Sequence, residues 1–141
     1  MSFRRALILL IVVVCGVSLG LSATQPAEAA ANHCKASSCS NKDPNVMGCA
    51  KDAITIQTTK PGAAIPVQLR WSPKCKAGWA RLTDKAGSWW SFRLEVNNGS
   101  YYTAVGSPYF KAYTRMSGST KRMRACIRQY SSSTWNCTRW F

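Results

Sequence analysis

The chain has 141 residues, with 19 lysines and arginines against 5 acids, a single histidine and a formal net charge of +14. One histidine and so few carboxylates leave little material for acid–base chemistry or a metal centre. A field this positive favours polyanions: nucleic acid, anionic cell-wall polymers, acidic lipid or an acidic protein.

The first segment, residues 1–29, has the three parts of a secretory signal peptide. Arg4 and Arg5 form the positive start, Ala6 to Val14 is unbroken apolar chain, and Ala27-Glu28-Ala29 offers small residues at a cleavage site. Cleavage is expected after Ala29, with Ala31 the alternative. The apolar run is too short to span a bilayer, so no stable membrane span is expected after cleavage. The expected compartment is extracellular.

Loss of the signal leaves Cys34, Cys39, Cys49, Cys75, Cys126 and Cys137. An even number in an exported chain of this size reads as a disulfide framework. No CxxC pair exists and His33 is the only histidine, so no metal site and no cofactor are expected.

Residues 30–52 form a cysteine-rich leader. From Cys34 to Cys49 it holds three half-cystines, one proline and one glycine with almost nothing apolar, so cross-links must order it. Lys42-Asp43-Pro44-Asn45 reads as a turn, and Gly48 allows another bend. Cys34 and Cys39 are close enough to close a small loop, and Cys75 is the nearest partner for Cys49.

Residues 53–141 carry period-two patterning. Strands are expected over 53–59, 65–71, with Ile65, Val67, Leu69 and Trp71 on one face, and 89–96, with Trp90, Phe92, Leu94 and Val96 inward. Residues 79–83 read as a strand or one helical turn, and 84–87 as a turn. Asn98-Gly99 signals a two-residue hairpin leading into 101–105. Residues 106–108 turn, 109–116 alternate, and 122–130 with 135–141 form a last hairpin that sets Cys126 opposite Cys137. The expected fold is all-β: a small disulfide-stapled β-sandwich or barrel behind the leader, forming one unit with it.

The run from Cys39 to Thr55 (CSNKDPNVMGCAKDAIT), continued by Val67-Gln-Leu-Arg-Trp71-Ser-Pro-Lys-Cys75 and Gly78-Trp79-Ala-Arg81, resembles the YjfA-like secreted domains of unknown function of Gram-positive bacteria. The likeness covers roughly residues 34–95. It implies export, disulfides and a compact fold, and carries no catalytic residue.

No catalytic residue is assigned. Glu95 sits at the end of an alternating strand, between the inward Leu94 and Val96, and should face solvent; a small basic ribonuclease-like hydrolase using it with Arg93 or Arg124 is an alternative without a second acid–base group. Asp43 reads as a turn residue and Asp52 as an acceptor for nearby backbone N–H groups. Nothing acidic follows position 95, whereas Arg115, Lys121, Arg122, Arg124, Arg128 and Arg139 do. With Trp89, Trp140 and Tyr101 on the polar face, these make the candidate binding residues. The expected function is a non-enzymatic binding domain for an anionic cell-wall polymer, a carbohydrate-bearing surface or a secreted protein, with nucleic acid bound only non-specifically. An inhibitor or adaptor of another extracellular protein is the second reading.

Overall fold

Alternation of apolar and polar side chains decides this fold, because it gives each strand one face to bury. The computed structural model describes residues 33–59, 65–83, 89–106, 112–118 and 120–141. Two antiparallel sheets result. One is a meander of β1 (Ile54–Thr58), β2 (Val67–Ser72) and β3 (Ala77–Leu82). The other has the order β5-β4-β6-β7, from β4 (Trp90–Val96), β5 (Tyr101–Gly106), β6 (Met123–Gln129) and β7 (Asn136–Cys137).

Their inner faces share one apolar cluster, which makes the fold a sandwich. Val67, Leu69, Ala80 and Leu82 meet Trp90, Phe92, Leu94, Val96, Met123, Ala125 and Ile127. Each large apolar side chain buried here contributes about 1.5–3 kcal/mol. Ile65 and Trp71 lie against this cluster only partly buried. Trp71 also meets the edge of Phe141, with ring centroids 5.9 Å apart, and so ties the tail to the first sheet.

Several expectations are resolved or corrected. Of the two alternatives for residues 79–83, the strand is the one found, as part of β3, which ends at Leu82 and leaves Thr83 in a bend. The β4–β5 connection is longer than two residues: Glu95 pairs with Tyr101, Val96 N–H donates to Ser100 O, and Gly99 N–H donates to Val96 O at 3.0 Å. Gly99 takes a φ of +91°, which suits a residue without Cβ. The turns expected at 84–87 and at 107–108 lie outside the described residues.

The expected strand 109–116 is also not regular over its described part. Residues 112–118 run antiparallel to β3 through isolated bridges at Arg81–Tyr113 and Gly78–Ser117. The cause is Thr114, whose Oγ1 accepts from Ala80 N–H at 3.0 Å in place of a backbone carbonyl. The same device recurs where two further ladders stop, β1–β2 and β6–β7. Thr59 Oγ1 accepts from Val67 N–H at 3.1 Å, and Thr138 Oγ1 accepts from Ala125 N–H at 3.0 Å. All three threonines are buried, and their hydroxyls satisfy donors that would otherwise be stranded.

The leader packs on the outer face of the first sheet. Disulfides join Cys34 to Cys39, Cys49 to Cys75, and Cys126 to Cys137. The four leader-side sulfurs lie within 4.8 Å of one another, in a second cluster with Trp79, Ala77 and Met116. Asp43 Oδ1 accepts from the N–H groups of Asn45 and Val46, the turn its side chain favours. Asp52 accepts from Ser72 Oγ–H and Lys74 N–H and so braces the β2–β3 turn. Gly118 is required by close approach, since a Cβ there would overlap the Ala36 carbonyl. In the chain-entropy description the Cys49–Cys75 link contributes about 3–4 kcal/mol. Among the described residues no helix is long and apolar enough to cross a membrane; residues 1–29, expected to be a signal peptide, lie outside them.

Candidate functional site

The outer face of the four-stranded sheet collects charge and aromatic rings by strand parity alone. In β4 the inward Phe92, Leu94 and Val96 leave Arg93 and Glu95 outward. In β6 the inward Met123, Ala125 and Ile127 leave Arg124, Cys126 and Arg128 outward. Register then aligns them: Glu95 sits between Tyr101 and Arg124, and Arg93 sits beside Cys126, itself paired with Cys137.

Glu95 is the hub. Its Oε1 accepts from Arg93 Nε at 2.7 Å, and its Oε2 accepts from Arg124 Nε at 2.6 Å. The side chain is only 12% exposed, because the two guanidiniums cover it. It lies on the outer face as its parity requires, but it does not stand free in solvent. Both carboxylate oxygens are engaged by permanent cations, an arrangement that suits a counter-ion better than a proton acceptor.

Stacked rings extend the network. Arg93 Cζ lies 4.1 Å from the Trp135 ring centroid and 5.3 Å from that of Tyr101. Arg128 approaches the same Trp135 at 4.8 Å, and Arg124 lies 4.5 Å from the centroid of Trp140. Each such contact is worth about 0.5–1 kcal/mol at an exposed site, and more when desolvated. Arg128 Nε is buried with no hydrogen-bond partner among the described residues.

A cleft of about 430 Å³ opens beside the β4–β5 turn, lined by Arg93, Glu95, Tyr101, Arg122 and Trp140 together with turn residues. Arg122 is exposed, and its guanidinium makes no hydrogen bond or ion pair among the described residues. Glu95 thus binds Arg93 and Arg124, shares the cleft with Arg122, and lies on the same sheet face as Arg128, which stands further along β6 opposite Ser91.

Of the sequence-derived candidates, Arg122, Arg124, Arg128, Trp140 and Tyr101 converge on this face. Arg139 is exposed beside a separate groove formed with Gln57, Thr58 and Thr138. Lys121 lies at the entry to β6, near Trp71 and Phe141. Arg115 is exposed on the segment that flanks β3, away from the second sheet. Trp89, 54% exposed, stands with Val105 and Tyr130 in an apolar hollow.

Trp135 and the stacking role of Arg93 escaped the sequence reading. The signal was present: if Cys126 faces Cys137, antiparallel pairing sets Trp135 opposite Arg128.

The first sheet carries a second guanidinium pair, Arg70 and Arg81. Burial first, and the charge of Arg81 second, hold Arg70 below its ordinary pKa. Arg70 is committed to Thr55 Oγ1 and Ala53 O, each at 2.6 Å, and so staples β1 to β2.

No curated relative and no solved structure matches the chain. A family model described as a protein of unknown function, DUF2690, matches residues 37–126. The match takes in both sheets as far as Cys126 and includes Arg93, Glu95, Tyr101 and Arg124, while Trp135 and Trp140 lie beyond it. Over that span, most of its length, the chain belongs to the DUF2690 family.

Proposed function

We propose that this protein is an exported, non-enzymatic binding domain that holds an anionic polymer against the outer face of its four-stranded sheet. One observation carries the reading: Arg93, Arg124 and Arg128 lie over the rings of Trp135, Trp140 and Tyr101, and the first two share the carboxylate of Glu95. The stacks fix long side chains in place, so less freedom is lost when a ligand arrives. The excess of guanidinium gives the face its preference for anions. The signal pattern, the disulfides and the likeness to YjfA-like domains support export from a Gram-positive cell, where the phosphate-rich wall is the nearest polyanion.

The test is retention of the oxidised domain on poly(glycerol phosphate) at low and moderate salt. Each phosphate contact steepens the salt dependence, so about three contacts lower affinity by roughly ten-fold or more for a four-fold rise in salt. Arg124→Ala and Arg128→Ala should each weaken retention and flatten that slope. Retention indifferent to salt would defeat the reading.

Docking to a secreted protein is the second reading, favoured by the exposed Trp89, Val105 and Tyr130 in their shared hollow. A partner held there would survive salt and depend on Trp89.

A further inference from the structure

The cleft beside the β4–β5 turn differs chemically from the rest of the charged face. We infer that it seats one pyranose ring bearing a single anionic substituent, carboxylate or phosphate, within an acidic glycan. This rests on the anionic-polymer reading and narrows it to a ligand class.

Size comes first. A volume of about 430 Å³ lies within the range of small-molecule sites, roughly 300–1,000 Å³, and suits a sugar ring with its substituents. The lining comes next. Tyr101, 60% exposed, and Trp140 present aromatic surface to the cleft, and each is steadied by a guanidinium, Arg93 or Arg124. Rigid rings of this kind pack against the C–H faces of a pyranose at small entropic cost.

Charge sets the number of anionic groups. Arg93 and Arg124 are committed to Glu95. Arg122 is not committed among the described residues, which leaves one cation for one anionic substituent. Glu95 decides between polymers. A carboxylate accepts hydrogen bonds and never donates, so its remaining lone pairs call for ligand donors. Sugar hydroxyls supply donors, whereas a DNA backbone supplies none and would bring phosphate charge against Glu95.

The experiment is a titration of the isotope-labelled, oxidised protein by NMR, which reads weak binding. Probes are glucuronic acid, glucose 6-phosphate, glucose and a short oligothymidylate. Signals followed are the Trp140 indole N–H and the Gly99 and Tyr101 amides. Both acidic sugars should move these signals saturably, and glucose should bind about ten-fold more weakly, as expected for one charge-assisted contact. The preference between the two acids distinguishes carboxylate from phosphate as the source. Arg122→Gln, at an exposed position, should abolish the advantage of the acids over glucose. Shifts centred on Arg128 or Arg139 instead, glucose equal to the acids, or tighter binding of the oligothymidylate at these signals would overturn the inference. If the sugars fail while polymer retention stays salt-sensitive, only the inference falls; if polymer retention is absent too, the broader reading falls with it.

Discussion

Glu95 shows how one residue fixes the character of a surface. Among the described residues it is the only acidic side chain on a face of guanidiniums, and both of its oxygens are used. Removing its charge strands Arg93 and Arg124, which are partly covered, at 26% and 33% exposure. Glu95→Gln should therefore lower the unfolding free energy by about 1–2 kcal/mol in urea titrations, the scale of a charge-assisted hydrogen bond discounted for solvent screening. The same change should tighten retention on a polyanion, because the one repulsive group is gone. A hydrolase using Glu95 as its base would instead lose turnover. Tighter binding with no phosphodiester cleavage in either protein is the expected result.

At the scale of elements, threonine hydroxyls end ladders that the sequence pattern would have prolonged. Thr138 closes β7 after Asn136–Cys137, yet the tail stays attached: Thr138 N–H donates to Ala125 O, and Phe141 exchanges two backbone bonds with Met123. Thr138→Val keeps the shape and removes the acceptor for a buried N–H. It should cost about 1–3 kcal/mol, with faster hydrogen exchange at Ala125 as its local signature. Thr138→Ser, which keeps the hydroxyl, should retain protection at Ala125. Equal protection in the valine variant would refute this account of the short β7. Because this tail carries Trp135 and Trp140, its anchoring also holds the rings against Arg93, Arg124 and Arg128.

For the whole molecule, a net charge of +14 on 141 residues works against compactness. Only two ion pairs, both to Glu95, offset it among the described residues. Moderate salt screens repulsion over about 8–10 Å. The melting temperature should accordingly rise between low and physiological ionic strength. A gain of about 1 kcal/mol corresponds to roughly 4–8 °C for a domain near this size. A polyanion should produce the same rise at far lower concentration, since it binds the folded face and screens at once. A melting temperature that falls with salt would indicate net attraction in the folded state instead.

How much of this was legible beforehand follows from what each property depends on. Strand parity is local, so the inward set Trp90, Phe92, Leu94 and Val96 and the all-β class could be read from alternation. The disulfide pairs could be reached by spacing, because short loops close most readily and Cys126 and Cys137 flank one turn. The binding candidates Arg122, Arg124 and Arg128 followed from a charge imbalance that composition shows directly. Other features depended on register between strands distant in sequence. Beyond the Arg128–Trp135 pair that facing cysteines imply, sequence could not show that Arg93 shares Trp135 or that Arg124 meets Trp140, nor that Arg115 and Trp89 lie apart from them. It also hid the covering of Glu95, because exposure of an outward side chain is set by its cross-strand neighbours. The chain by itself determined which face each residue takes; the packing of two sheets and a leader decided which of those residues meet, since a contact across strands is a property of alignment and not of composition.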